Sequence, residues 1–565
     1  MGDINDVRIG LVKNVAVESF YASREKLIAK EKTHRSDYTF RQALTPVAKE
    51  ACKIVSQIRD EERRTIWKTE GNPELNQNEL FPGMMFNVAK THMETTKLWQ
   101  IVRKMPKGTV LHAHIGATVD LEWVINEAIE TPGMCIAADI PLTSITALKK
   151  CTPLVRYWGL STTEQPTIWT SDYIVNDLIP LKTCADRFPY GGRAGFKAWM
   201  KDRCSITQTE SLQHHLGVDE VWIKLSSAFS ILSPIIYYQP ITQKFVKQLF
   251  RTLLDDGVRW IELRAVLYSP FTLFEDNEGR SQPLELSRVL DETITEFMAS
   301  EEGKEFWGAR IIWTSMRHTP SDMIISDMKA CMVIKTKYPH LIAGYDVVGP
   351  EDAGRTLHDL MPELQWFKEE TARQGLDIPF FFHAGECLGD GDSTDNNLFD
   401  AILLGSRRIG HAFSLHKHPV LIEMVKGQKI LVESCPISNE VLRYTASILS
   451  HPLPALLARG VPAALSNDDP ALLGQGTSGL THDFWQALQG WENLGLAGLG
   501  SLAQNSVRWG IFEDQTTEEW LQTIEEGSAG TGLRARRVQQ WDSEWEDFCA
   551  WVVKEYDVSP EKVEV

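Results

Sequence analysis

The residues of this chain with the strongest claim to chemistry are three histidines and an aspartate, each closing an apolar, β-prone run. They lie in His112-Ala113-His114, His383-Ala384-Gly385-Glu386 and Asn467-Asp468-Asp469-Pro470; between them come Gly410-His411 and Glu433-Ser434-Cys435-Pro436. On a strand, residues two apart face the same way, so His112 and His114 present their imidazoles together. Alone, such a pair is a weak signal. His383 strengthens it by ending the run Pro379-Phe380-Phe381-Phe382, and Asp468 does the same after Ala463-Ala464-Leu465-Ser466-Asn467. Three imidazole nitrogens and one carboxylate oxygen, with a position left open, describe a catalytic rather than a structural zinc site. Zn2+, one ion per chain, is the expected cofactor. Glu386 stands past a glycine that lets the chain turn over the site, a place for a proton shuttle that is not itself a ligand. His411 opens a loop where it can orient an attacking water. Asp469 must point away from Asp468 and is free to hold a polar substrate atom.

Elements that position these groups are legible along the chain. A first strand is expected over Lys107 to His112, followed by Val258 to Val266, Ala309 to Thr314, Leu341 to Val348, Ile378 to His383, Arg408 to His411, Lys429 to Glu433 and Val461 to Ser466. Helical stretches such as Leu286 to Met298, Ser321 to Lys335 and Ala353 to Arg373 separate most of them, which describes an α/β fold, a (β/α)8 TIM barrel with its active site at the strands' C-terminal ends. Ahead of it the sequence reads helical from about Asn5, most clearly over Phe40 to Ile66 and Glu79 to Val102. The gap between the first and second strands is too long for one crossover helix, so an inserted subdomain is expected after the first strand. Its Trp158, Trp169, Tyr173 and Trp199, with the pair Gly191-Gly192, suit a small lid over the barrel mouth; inert packing is the alternative. The expected division is a helical extension over 1–104, a barrel over 105–129 and 217–530, the insert over 130–216 and a closing helix over 531–565.

Composition sets the class. With 565 residues and 43% hydrophobic residues the chain can bury a large core. Its formal charge, 58 minus 76 or −18, and the lack of basic runs interleaved with aromatics argue against a nucleic-acid polymer as partner. No basic segment leads into an apolar one at the start, no window approaches a membrane span, and Asp6 spoils an N-myristoylation signal at Gly2. A cytoplasmic location is expected, or a secreted one if a signal has been removed. Nine cysteines, an odd number without CxxC pairs, point to free thiols; Cys135 and Cys151 are the pair placed to close a loop if the protein is exported.

The joint pattern of HxH, HAGE, GH, E-x-CP and NDDP resembles the adenosine/AMP deaminase branch of the amidohydrolase superfamily. The helical preface, Met105-Pro106-Lys107-Gly108 before HxH and the long insert resemble its adenosine deaminase-related growth factor group. The resemblance implies zinc binding by His112, His114, His383 and Asp468, protonation of purine N1 by Glu386, and an attacking hydroxide at C6 steadied by His411. It also implies contacts of Asp469 with N7 and of Gly349, in Tyr345-Asp346-Val347-Val348-Gly349, with N3. Homodimerisation through the preface and a purine nucleoside substrate follow from the same resemblance. Members usually carry an aspartate that holds the ribose two residues after HxH; here that place is Gly116, so recognition of the sugar is expected to differ. Nucleotides, N6-substituted adenines, other amidohydrolase substrates and a growth-factor-like binding protein on the same fold are the alternatives. The cytidine-deaminase signature is absent, and the fourth strand has no lysine to bridge two metals.

Overall fold

The computed structural model describes residues 15–67, 80–160, 166–274, 276 and 279–556. The expected helical starts near Asn5 and Glu79 lie outside the described residues. Eight parallel strands carry the fold: β1 (Gly108–His114), β2 (Val258–Ala265), β3 (Gly308–Met316), β4 (Ile342–Val348), β5 (His383–Ala384), β6 (Arg408–His411), β7 (Leu431–Ser434) and β8 (Ala463–Leu465). β1 to β4 form one ladder and β5 to β8 another. Two parallel bridges, Tyr345 with Phe380 and Ala113 with Asp468, join the ladders at both edges and close them into a TIM barrel. Helices including Gln239–Asp255, Pro283–Ala299, Ser321–Lys337, Met361–Gln374 and Pro419–Gly427 separate successive strands. At the end of the barrel where the strands begin, Trp509, Ile511, Trp520 and Ile524 pack onto Leu111, Ile312, Phe381 and Leu431 and seal the floor.

The fifth strand is shorter than expected. Of Ile378 to His383 only His383 enters a ladder, with Ala384; Pro379 has no N–H to give, and Phe380 makes a single bridge. Gly344 of β4 lets this run approach closely, since a Cβ there would stand 2.4 Å from Phe381 Cε2 and from Pro379 O. The helix expected over Ala353 to Arg373 begins only at Met361, where Pro362 fits the first turn. The residues before it turn back over the barrel mouth and bring Glu351 to the site.

Before β1 the chain forms helices Val15–Thr33, Tyr38–Ala43, Pro46–Thr65, Phe86–Met93 and Lys97–Lys104. Thr45 caps the third, its Oγ1 accepting the Ala48 N–H at 3.1 Å. That helix buries Ala48, Ala51, Ile54, Val55 and Ile58 on one stripe, and packs with Gly495–Arg508 and the long helix Leu533–Tyr556.

Between β1 and β2 a three-stranded antiparallel sheet, Met134–Ala137 with Leu154–Tyr157 and Ile179–Pro180, carries helices Leu181–Asp186 and Gly192–Cys204. Three of the four aromatics read as suiting a lid serve as packing. Trp169, Tyr173 and Trp199 are buried in the insert itself, Trp169 and Trp199 edge to face at 5.4 Å, because this small unit needs its large side chains as its own core. Trp158 alone of the four is exposed. All nine cysteines, Cys135 and Cys151 included, are free. Among the described residues no helix is long and apolar enough to cross a membrane.

Candidate metal centre and active site

The C-terminal ends of β1, β5, β6 and β8 deliver their histidines and aspartate to one point. The ring of His112 lies 4.5 Å from that of His383 and 4.7 Å from that of His411, centroid to centroid. His112 fits there because Gly410 has no side chain: a Cβ would stand 2.7 Å from its Cε1. Asp468 adopts a left-handed φ of 57°, its amide bonding His112 O and its carbonyl His114 N, each at 3.2 Å. Its Oδ1 thereby faces His112 Nε2 at 3.4 Å and His114 Nε2 at 3.2 Å, while Oδ2 accepts the Ser438 hydroxyl at 2.7 Å.

Beneath these donors lies a fully buried charge network. Glu433 Oε2 accepts from Arg264 at 2.7 Å and meets His112 Nδ1 at 2.9 Å; its Oε1 accepts from Arg408 at 2.6 Å. Arg264 also reaches Asp346 at 2.8 Å, and Asp346 Oδ2 meets His383 Nδ1 at 2.6 Å. Arg408 reaches Glu262 at 2.5 Å. His112 and His383 therefore each have Nδ1 engaged by a carboxylate, which fixes the ring and directs Nε2 into the site. Burial acts to raise the carboxyls of Glu433 and Asp346, but the arginines and histidines around them outweigh it and hold both below the usual range. Burial lowers His383 to about 3, so its imidazole is neutral and able to ligate.

On the opposite side the groups are uncompensated. Burial, with Asp468, Glu351 and Asp469 nearby, pushes the Glu386 carboxyl well above its usual range, against Arg317. Its loop is held by Glu351, which accepts the Glu386 N–H at 2.9 Å and the Gly385 N–H at 3.3 Å and is itself held by Asn397 at 2.8 Å. Arg317 donates to His383 O at 2.6 Å. Burial and Asp468 likewise push Asp469 upward. Buried and without hydrogen-bond partners are His112 Nε2, His411 Nε2, Glu386 Oε1 and Asp469 Oδ1. Buried polar atoms are seldom left so, and here they belong to a donor set of neutral imidazoles and carboxylate that fits a divalent ion and a polar ligand.

Of the residues read from the sequence, His112, His114, His383, His411, Asp468, Asp469 and Glu386 come together here. Potential ligand atoms of His112, His383, His411 and Asp468 lie within 4.8 Å of one another; His114 groups instead with Asp468 and Asp469. His411 is thus packed as tightly among the donors as the expected fourth ligand. Gly349 follows β4 with φ +109°, and the nearest side chain to where its Cβ would stand is Met316, at 3.7 Å, rather than a member of the cluster. Sequence reasoning passed over Arg264, Arg408, Glu262, Asp346, Glu351 and Arg317 and gave Glu433 no role. The signal available was charge inside apolar strands, as in Trp260-Ile261-Glu262-Leu263-Arg264.

Comparison with known proteins agrees with this architecture. The adenosine deaminase family model matches residues 203–527, more than half of the chain, starting after β1. Adenosine deaminase of Lutzomyia longipalpis is 31% identical over 464 residues, 81% of this chain and 80% of its own. Adenosine deaminase 2 of Sus scrofa is 30% identical over 449 residues, 79% and 82% of the two chains, and that of Homo sapiens 28% identical over 477, 83% of each. A barrel of this topology, the donors gathered at its mouth and these matches lead to one conclusion: the chain belongs to the adenosine deaminase family, hydrolases acting on C–N bonds.

Proposed function

We propose that the protein is a zinc-dependent enzyme that converts a 6-aminopurine nucleoside and water into the 6-oxopurine and ammonia. The observation that carries this reading is the buried Glu386 carboxyl, pushed toward its protonated form beside partnerless imidazole and carboxylate atoms. His112, His114, His383 and Asp468 would hold the ion. Zinc bound there supplies the Lewis acidity that makes water nucleophilic near neutral pH.

Every other task falls to the chain. Glu386 holds a proton at Oε1 and gives it to purine N1 as oxygen adds at C6, so that the ring's developing negative charge is neutralised where it forms. His411 Nε2 faces the same space and steadies the incoming oxygen. Asp469, kept neutral by burial and by Asp468, donates a hydrogen bond to N7. Collapse of the tetrahedral carbon expels the 6-amino group, which leaves as ammonia after taking the oxygen's remaining proton through Glu386. Gly349 leaves room for the N3 edge.

Sugar recognition departs from the family pattern. A Cβ at Gly116 would stand 3.1 Å from the ring of Phe229, which also lies edge-on to His114 at 6.5 Å. The other polar side chains of that turn are engaged, Thr118 with Ile115 O and Asp120 with the N–H groups of Glu122 and Trp123. Ribose hydroxyls set there would lose water without gaining an acceptor. Preference for plain adenosine over 2′-deoxyadenosine is accordingly weak or reversed.

Two broader readings accompany this one. Helix Val15–Thr33 has no buried residue and exposes Val15, Phe20, Tyr21 and Leu27, which supports a homodimer built through residues 1–104. Nine free thiols support a reducing, cytoplasmic setting. The remaining division, barrel over 105–129 and 217–530, insert over 130–216 and closing helix over 531–565, belongs to the same proposal. The decisive experiment follows ultraviolet absorbance of zinc-loaded protein with adenosine, 2′-deoxyadenosine, AMP, N6-methyladenosine and adenine, with Glu386→Gln as control. Turnover of a nucleoside, abolished by that substitution without loss of zinc, is expected; silence across the panel would refute the reading.

A further inference from the structure

A chain of three hydrogen bonds ends at His411, and its polarity is set from the far end. The backbone N–H of Leu453 can only donate, and it points at His451 Nδ1 at 3.1 Å. His451 is buried and neutral, burial lowering it to about 3, so its proton sits on Nε2. That nitrogen lies 3.1 Å from Asn439 Oδ1. With its oxygen accepting, the Asn439 amide turns its NH2 to His411 Nδ1, at 3.2 Å. That NH2 can only donate, so Nδ1 of His411 accepts and the ring carries its one proton on Nε2. Nε2 is the atom that faces the site without a partner, 3.8 Å from Asp468 Oδ2.

Resting on the deaminase reading, we propose that Asn439 and His451 are positioning residues that lock His411 in the Nε2–H tautomer, making it a hydrogen-bond donor to the attacking oxygen and barring it from the metal. This separates His411 from His112 and His383. Those rings face carboxylates at Nδ1, which hold the proton there and free Nε2 to ligate. Two kinds of histidine thus stand side by side, distinguished by whether the hydrogen-bond partner of Nδ1 is a carboxylate or an amide; Glu386 Oε1 stands farther from His411 Nδ1, at 3.5 Å, than the Asn439 amide at 3.2 Å. Nothing in the motif Gly410-His411 carries this distinction; it comes from Asn439 in the helix Pro436–Val441 and His451 in the turn that follows.

Asn439→Asp tests the lock with an isosteric change. A carboxylate can only accept, so it would take protons from both His451 Nε2 and His411 Nδ1, reversing the His411 tautomer. Imidazole-¹⁵N spectra of full-length protein, recorded with and without zinc and assigned by a His411→Gln control, are expected to show His411 protonated at Nε2 in the wild type and at Nδ1 in Asn439→Asp. With the best substrate, kcat is expected to fall on the order of 10²- to 10³-fold, the loss seen when one donor to a developing oxyanion is removed, while KM stays within a few-fold. His451→Gln, whose side-chain amide can donate to Asn439 in place of the ring, is expected to keep most of the activity, and His451→Leu to lose it. A wild-type ring protonated at Nδ1, or Asn439→Asp with kcat within threefold of the wild type, would overturn the proposal. The spectra do not depend on turnover. An inert enzyme with an Nε2–H His411 would therefore sink the deaminase reading and leave the lock standing.

Discussion

Replacing Glu433 by Gln should damage stability and metal affinity together. The carboxylate serves three partners: Arg264 at 2.7 Å and His112 at 2.9 Å on Oε2, and Arg408 at 2.6 Å on Oε1. Glutamine keeps the volume but offers one oxygen and two N–H donors, so either Arg408 or the Arg264 and His112 side must face a donor. Each arginine retains a second carboxylate, Asp346 for Arg264 and Glu262 for Arg408. The loss therefore falls at the lower end of what breaking a buried ion pair costs, about 3 kcal/mol of a 3–5 kcal/mol range. Zinc affinity should drop about 10- to 100-fold as His112 loses the group that fixes its tautomer, or about 1.4–2.8 kcal/mol less zinc-dependent stabilisation at saturating metal. Denaturant unfolding with and without zinc reads both quantities, and competition with a chromophoric chelator reads the second alone. Glu262→Gln is the contrast: it touches Arg408 but no histidine and should lower stability without changing zinc affinity. A Glu433→Gln protein whose metal-free stability falls by less than about 1 kcal/mol, with zinc affinity within twofold of the wild type, would show that the network neither supports the barrel nor orients the ligand.

Two further predictions follow from the same geometry. His114→Ala should lose stoichiometric zinc and His411→Ala keep it, as read by metal analysis after desalting, because Asp468 Oδ1 already faces His112 and His114 together; the opposite result would transfer the fourth ligand position to His411. Glu440 is buried, accepts the N–H groups of Phe86 at 2.7 Å and Ile448 at 3.0 Å, and is raised by burial to about 8. The folded state therefore holds a proton that the unfolded chain has released, so this contribution is complete below about pH 4.5 and is lost as pH rises toward 8. Glu440→Gln should flatten the fall in stability across that window by a few kcal/mol, on the order of the linkage between the two pKa values; thermal melts of both proteins from pH 5 to 8 showing parallel slopes would rule it out.

The barrel was legible because each strand is a short apolar run in an otherwise charged chain, and the reading failed where such a run does something besides pair. Pro379 to Phe382 is as apolar as any strand, yet Pro379 has no donor and the run packs by close approach to Gly344 instead. Helical periodicity from Ala353 onward was real only from Met361, since the residues before it spend their polar groups on the site, with Glu351 holding two N–H groups of the Glu386 loop. Lid aromatics read from composition became a core because a sequence does not say which face of a small subdomain is its inside. Histidines and acids at strand ends were found by their spacing. The groups that orient them were not, because Arg264, Arg408 and Asp346 stand on different strands and have no shared motif.

The bridge between Ala113 and Asp468 puts the proposed metal centre at the seam of the barrel, where the first strand meets the end of the last. During synthesis the emerging half-barrel carries His112 and His114 on an open strand edge, and their carboxylate partners Glu433 and Asp468 arrive only after almost the whole domain has been made. Closure of such a distant pair is slow in folding terms, and until it happens the edge of β1 is exposed to other chains. If zinc binds as proposed, its loading would report on completion: a chain stopped short of β8 keeps His112, His114 and His383 but lacks Asp468.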